Sequence, residues 1–167
     1  MHTIKFDETD VKILSSLQKR GRTKRNELAE VVKLSVPSIS ERLRKLEEAG
    51  VIKSYNAILE PRKVGLEVTA FIFLTTDSSK CYPDIIEKSM DEDEILECHA
   101  ITGNGSHLMK VRTESTASLE TLLSKIQSWP GVSNTSTDVV LSSPKESPAL
   151  PLSQWRVKQE LKIAKTN

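Results

Sequence analysis

Residues 34–56 read LSVPSISERLRKLEEAGVIKSYN and decide the fold of the N-terminal part of the chain. Ser35 can accept a hydrogen bond from a free amide of the first helical turn, which also tolerates proline. Gly50 can adopt a positive φ angle and so end the helix. The stretch therefore predicts a capped amphipathic helix followed by a strand over residues 51–59. Apolar residues recur every three or four positions, the spacing of one buried helix face, at Val36, Ile39, Leu43 and Leu46.

Two shorter helices are predicted upstream of this one. Asp7 is placed to cap the first, and Phe6 can pack on Val11 as a hydrophobic staple. The second helix covers residues 25–33 and leads through a short connection into the third. Three short helices with tight turns predict a helix-turn-helix head of the winged type over residues 1–52. The side chains expected to face inward in the first two helices are Ile13, Leu14, Leu17, Leu28, Val31 and Val32.

The charge of the chain is divided unevenly, although the net charge is only +1. Residues 1–65 hold 14 lysines and arginines against 9 acidic residues, whereas residues 66–141 hold 5 against 12. The positive charge therefore lies on the helical head, where a polyanion would need it. The run KRGRTKR at residues 19–25 falls at the first turn between helices and is expected to contact phosphates. Its candidate residues are Arg22, Lys24 and Arg25.

The third helix is expected to enter a DNA major groove and to read bases there. Arg42 is predicted to pair with guanine, and Glu41 either accepts from cytosine or orients Arg42. Residues further along the helix are expected to contact phosphates. The alternative is a surface helix whose charges merely face water. The candidate base-contacting residues are Ser38, Ser40, Glu41 and Arg42, and the candidate phosphate-contacting residues are Arg44 and Lys45.

Composition excludes several other classes of protein. No apolar stretch approaches the ~18 residues of a membrane span, and no secretory signal begins the chain. Cys81 and Cys98 are too few for a disulfide framework or a zinc cluster. We therefore expect a cytoplasmic protein with reduced thiols, no metal, no cofactor and no membrane partner.

The second half of the chain predicts a separate domain over residues 66–141, reached through a strand linker over residues 53–65. Its elements run β-α-β-β-α-β, the order of the ferredoxin-like unit, so the whole chain is α+β. Such a sheet has helices on one face only, and pairing its other face with a second copy would bury it. The predicted strands are 68–74, 95–102, 107–112 and 135–141, and the predicted helices cover 83–90, with Ile85 and Ile86 inward, and 119–126.

A C-terminal tail is predicted over residues 142–167. Its first part, to residue 152, contains three prolines and predicts an extended connection. The stretch from residue 153 can form a weakly amphipathic helix or remain a solvated tail.

The combination of head and domain resembles the Lrp/AsnC family of transcriptional regulators, the feast/famine regulatory proteins. The resemblance implies a sequence-specific regulator that binds double-stranded DNA as a homodimer, and often as an octamer or larger assembly. It covers roughly residues 4–152. The motifs that carry it are residues 10–14 (DVKIL), 28–30 (LAE), 34–35 (LS), 41–52 (ERLRKLEEAGVI), 97–99 (ECH), 102–103 (TG), 130–132 (PGV) and 135–137 (TST).

The resemblance also implies that a small effector, usually an amino acid, binds near the glycine turn, the hairpin turn predicted at residues 103–106 (GNGS). Family members that bind amino acids often carry an acidic and then an aromatic residue after this turn, where the present chain has Ser106 and His107. A serine offers only a neutral hydroxyl to a ligand ammonium group. The effector is therefore expected to be different, weakly bound or absent. The implied effector residues are Gly103, Asn104, Gly105, Ser106, His107, Thr135 and Thr137.

Two other functions stay open at this stage. An architectural protein that coats DNA without an effector would also need the basic head. Some tetrapyrrole-processing decarboxylases resemble the same two-domain plan, and His99 and His107 are predicted on neighbouring strands. A histidine pair without a carboxylate partner supports an enzyme only weakly, so we expect no catalytic site.

Overall fold

The computed structural model describes residues 7–152, which form two compact units. The first contains the described residues up to Ile58 together with those from Glu146 onward, and the second spans Leu59–Lys145. The predicted Phe6 staple and the predicted helix beyond residue 152 lie outside the described residues. None of the helices between residues 7 and 152 is both long enough and apolar enough to cross a bilayer.

The first unit is built on three helices, α1 (Glu8–Lys19), α2 (Arg25–Val32) and α3 (Val36–Glu48). α1 begins at a reciprocal cap, because the Asp10 amide donates to Asp7 at 2.9 Å and the Asp7 amide donates to Asp10 at 3.0 Å. Ser35 accepts from the first turn of α3, as predicted. The helices enclose one core, which confirms the predicted head. That core contains Ile13, Leu28, Ala29, Ile39 and Leu43.

Three expectations for the head are wrong. Residues 51–59 form no strand, because within residues 7–152 no neighbouring strand takes up their hydrogen bonds. The first two amides of this segment donate instead to the Leu46 carbonyl, at 2.9 and 3.1 Å. Val31 is 56% exposed, since a three-helix unit cannot bury both faces of α2. Val36 is 38% exposed because it occupies the first position of α3, beside the solvent-facing cap.

The second unit has the predicted ferredoxin-like order. Its four strands form one antiparallel sheet, in which the first strand lies between the third and the fourth and the second lies beside the third. Short 3₁₀ turns occur at Pro61–Val64 and Ser79–Cys81. The elements are β1 (Val68–Thr76), α4 (Tyr82–Met90), β2 (Ile95–Ala100), β3 (His107–Thr113), α5 (Thr116–Gln127) and β4 (Val132–Val139).

The two faces of this sheet differ. One packs on both helices, and its core contains Ala70, Ile72, Leu74, Ile85, Met109, Val111, Leu119, Leu122, Ile126 and Trp129. Ile86 was expected to join it but is 46% exposed on α4, because only one side of this short helix contacts the sheet. The opposite face, here called the open face, receives no helix within the second unit. By strand register it carries Thr69, Phe71, Phe73, Leu108, Lys110, Arg112, Glu97, His99, Ser136 and Asp138.

The segment from Glu146 to Leu152 returns to the first unit and lies against α1. The Gln18 side-chain amide donates to the Leu150 carbonyl at 3.1 Å and accepts from the Leu150 amide at 2.6 Å. This pairing resembles one step of a β-ladder, with a side chain in place of the second backbone. The predicted extended connection therefore ends in a defined contact.

Candidate functional site

The outer surface of α3 carries exposed polar residues whose charges are largely neutralised within the helix. Ser38 and Glu41 are exposed, and Ser40 is half-buried. Arg44 contacts Glu41 at 2.7 Å and Glu48 at 2.6 Å. The hydrogen bond from Arg44 lowers the pKa of Glu41 below its ordinary value. Lys45 lies further from the same carboxylate, at 3.5 Å. This helix therefore offers groups for contact with bases but little net positive charge.

Three cations lie in the turn between α1 and α2 and at the first position of α2. Arg22, Lys24 and Arg25 are all exposed, and none forms an ion pair with another residue of the described range 7–152. Lys24 is the N-cap of α2 and makes no side-chain cap, so first-turn amides of that helix stay open to an anion. The predicted phosphate-contacting loop is thus sterically available.

Arg42 differs from its neighbours on α3 because it is half-buried and paired with another helix. Its Nη1 lies 2.7 Å from the Asp10 carboxylate and 2.8 Å from that of Asp7. The hydrogen bond that Arg42 donates to Asp10 is the largest cause that raises the pKa of Arg42 above its ordinary value, and the one donated to Asp7 adds to it. Sequence reasoning missed this pairing because Arg42 and Asp10 are 32 residues apart along the chain, and no local pattern marks the contact.

Comparison with known proteins assigns the family. The N-terminal residues 6–53 match the model for a winged helix-turn-helix DNA-binding domain, and residues 69–150 match that for the Lrp/AsnC ligand binding domain. The chain is 36% identical over 149 residues to the HTH-type transcriptional regulator FL11 of Pyrococcus horikoshii, covering 89% of this chain and 98% of that protein. The chain belongs to the Lrp/AsnC family of transcriptional regulators.

Solved structures of Lrp/AsnC proteins share the whole architecture. The transcriptional regulator NMB0573 of Neisseria meningitidis, solved as a complex with L-Met, has a TM-score of 0.86 at 32% identity, covering 90% of this chain and 99% of that chain. AsnC of E. coli has a TM-score of 0.81 at 32% identity, covering 89% of this chain and 100% of that chain. The chain is therefore a DNA-binding transcriptional regulator of α+β fold, and its relatives are regulators rather than enzymes.

The glycine turn of this Lrp/AsnC regulator is anchored to the end of β1. The Ser106 amide and hydroxyl both donate to the Leu74 carbonyl, at 2.8 and 3.0 Å. A Cβ on Gly105 would lie 2.8 Å from the same oxygen, so only glycine permits this approach. Gly103 and Asn104 remain exposed. The turn therefore offers a ligand these two residues, while Gly105 and Ser106 hold it in place.

The remaining implied effector residues lie on the helix-covered side of the sheet. His107 is buried, with Nδ1 3.0 Å from the Ser106 hydroxyl and its ring 4.6 Å from that of Tyr82. Thr135 pairs with Leu74 in register and accepts from the Gln127 amide at 2.9 Å. Thr137 lies two residues further along β4. The structure thus spreads the implied set over the turn and three positions on the helix-covered face of β3 and β4.

The two strand histidines do not form a joint site. His107 is on the helix-covered face, whereas His99 lies on the open face, 3.2 Å from Glu97. Their imidazoles therefore lie on opposite sides of the sheet. Within residues 7–152 no group of three or more histidine, cysteine or acidic residues is arranged to hold a metal ion, and Cys81 and Cys98 are free thiols.

Proposed function

We propose that this regulator binds double-stranded DNA as a homodimer, with α3 of each head in the major groove. The observation that carries the proposal is the pairing of an exposed, side-chain-capped α3 with a free cationic loop in the same unit. A helix that enters the groove needs phosphate contacts to hold its register, and the loop supplies them.

The residues assigned to DNA follow from exposure and charge. Ser38 and Glu41 lie near the start of α3 and are proposed to meet base edges, with Ser40 beside them. Val36, which sequence reasoning placed in the core, presents an apolar side chain in the same turn and can contact a thymine methyl. Lys45 and Arg44 are proposed to contact phosphates, as are Arg22, Lys24 and Arg25 in the loop.

The open face of the sheet is proposed as the dimer interface. Phe71, Phe73 and Leu108 place apolar side chains at its centre, and neither helix of the unit covers them. At its margin, Glu97 of the edge strand β2 pairs with Lys110 of the neighbouring strand β3 at 3.4 Å. An apolar centre with a charged rim is the usual anatomy of a protein interface. Assembly into octamers is a further proposal that rests on the family resemblance.

Control by a small metabolite is proposed with amino acids as the first class to test, because NMB0573 was solved with L-Met. In this chain the exposed Gly103 and Asn104 are the residues of the turn best placed to meet such a ligand. If amino acids leave DNA binding unchanged, an effector-independent architectural role becomes the better account.

The test of base contact is selection of bound fragments from random DNA with the wild type and with Glu41→Gln. The matched control is Glu120→Gln, an equally exposed glutamate on α5 of the other unit. We expect Glu41→Gln to change the selected base at one position of each half-site and the control to change none. Identical selections by all three proteins would contradict the assignment of α3.

The test of the interface is the molar mass in solution of the wild type, Phe71→Glu and Met90→Glu. Met90 is 81% exposed on α4, so its substitution adds the same charge away from the open face. We expect dimers for the wild type and the control and monomers for Phe71→Glu. A dimeric Phe71→Glu would contradict an interface on the open face.

A further inference from the structure

Arg42 occupies a contact that joins α3 to the start of α1. One guanidinium nitrogen, Nη1, lies between two carboxylates, 2.7 Å from Asp10 Oδ1 and 2.8 Å from Asp7 Oδ2. The Asp10 side chain is 13% exposed and that of Arg42 30%, so solvent only partly screens the contact. By comparison, the Arg44 side chain is 53% exposed and pairs within its own helix.

The reciprocal cap of α1 holds the two carboxylates in place independently of Arg42. Each accepts a hydrogen bond from the other residue's backbone amide in the reciprocal cap of α1. Partial burial alone would raise the pKa of Asp7, but the Asp10 amide and the Arg42 guanidinium bring that pKa below its ordinary value. Asp7 is therefore ionised at neutral pH, and the reciprocal cap holds both carboxylates in one orientation.

The contact determines how α3 is placed within the head. The buried contacts of Ile39 and Leu43 hold one side of α3 against α1 and α2, but apolar packing is not directional. A charge-assisted hydrogen bond is directional, and this one acts midway along α3. The Arg44 and Lys45 pairs lie within α3 and cannot orient it relative to the other helices.

Charge also argues against a role for Arg42 at the bases. The cluster of Asp7, Asp10 and Arg42 has a net charge of −1, which phosphates repel. To reach a guanine, Arg42 would have to leave both carboxylates and expose them uncompensated. A guanine reader of the usual kind instead presents a free guanidinium to the groove.

We propose that Arg42 is a positioning residue, which orients the DNA-contacting face of α3 through Asp7 and Asp10 and does not itself read a base. The proposal rests on the proposed function, since it needs a head that binds DNA. It replaces the guanine contact expected from sequence and gives the two aspartates of α1 a role in DNA affinity.

The test measures both affinity and base preference on the selected DNA site for Arg42→Met, Arg42→Lys, Asp10→Asn and the double variant Asp10→Asn/Arg42→Met. Lys125→Met is the matched control, because it removes a paired cation of the second unit, where Lys125 contacts Glu92 and no residue is assigned to DNA. All measurements are made below the unfolding transition of each variant, followed by circular dichroism. This condition separates loss of orientation from loss of folding.

We expect Arg42→Met and Asp10→Asn each to weaken binding roughly tenfold, the effect of one charge-assisted hydrogen bond. The double variant should be no weaker than Arg42→Met, because Asp10→Asn removes one of the two carboxylate contacts that Arg42→Met already removes. Arg42→Lys should recover most of the affinity, and the preferred bases should stay unchanged throughout.

Two results would overturn the proposal. A changed base preference in Arg42→Met, with Asp10→Asn binding as the wild type, would show that Arg42 reads a base. Unchanged affinity of the folded Arg42→Met and Asp10→Asn variants would show that the contact only stabilises the head. Failure of the wild type to bind any DNA would instead contradict the proposed function itself.

Discussion

The free cations of the loop between α1 and α2 lead to a quantitative prediction for the salt dependence of DNA binding. Replacing Arg22, Lys24 and Arg25 with glutamine removes three exposed positive charges that pair with no carboxylate in the described part of the chain. Each phosphate contact adds about 0.9 to the slope of log affinity against log salt, so three contacts per head contribute about 2.7. Between about 50 and about 200 mM salt this amounts to a factor of about 40 in affinity.

The assay is fluorescence anisotropy of a labelled operator fragment, titrated with protein at several salt concentrations. The matched control replaces Arg62, Lys63 and Lys80, three exposed cations of the second unit, and so changes the net charge equally. We expect the loop variant to lose about 2.7 from the slope for each bound head, and the control to keep the slope of the wild type. A loop variant with the wild-type slope would refute the assignment of this loop to phosphates.

Three further predictions concern stability. Burial lowers the pKa of His107 below its ordinary value of about 6.5, so below that pH the unfolded state binds more protons than the folded state. The free energy of unfolding should therefore fall there by up to about 1.4 kcal/mol per pH unit. The variant His107→Asn should remove this pH dependence, measured by urea unfolding at several pH values. Gly105→Ala should cost about 1–3 kcal/mol in the same assay, because the new Cβ meets the Leu74 carbonyl. Gln18→Ala should cost about 0.5–1 kcal/mol and speed hydrogen exchange of the Leu150 amide, and unchanged exchange would contradict that contact.

Most of the fold could be predicted because its determinants are local. The caps at Asp7 and Ser35 depend on residues at most three positions away, and the strands of the second unit follow from short β-branched and aromatic runs. The element order β-α-β-β-α-β then restricts the sheet to few arrangements.

The errors arose where structure depends on distant partners. Residues 51–59 have the composition of a strand but no neighbouring strand within residues 7–152. Val31 lies on the apolar side of a helical pattern, yet among residues 7–152 too little packs against it to bury it, and its side chain stays 56% exposed. Periodicity describes a helix face, and burial also needs a second element opposite that face.

In the candidate site, too, local features could be predicted from the sequence and contacts between distant residues could not. Exposure of Ser38, Glu41 and the loop cations could be anticipated from helix phase and turn position. The Arg42 contact could not, because Asp10 lies 32 residues away in sequence and Asp7 lies further still. Likewise, Ser106 looks available in the turn, but its amide and hydroxyl are taken up by the Leu74 carbonyl.

The central claim is that a dimer of this regulator reads DNA sequence through two α3 helices. The most direct measurement is selection of bound fragments from random DNA by the wild-type protein, with excess non-specific competitor. The account predicts enrichment of an inverted repeat whose half-site centres lie about 10 base pairs, or a multiple of that, apart. Recovery of fragments without any shared sequence, or of a single half-site with no symmetric partner, would contradict it.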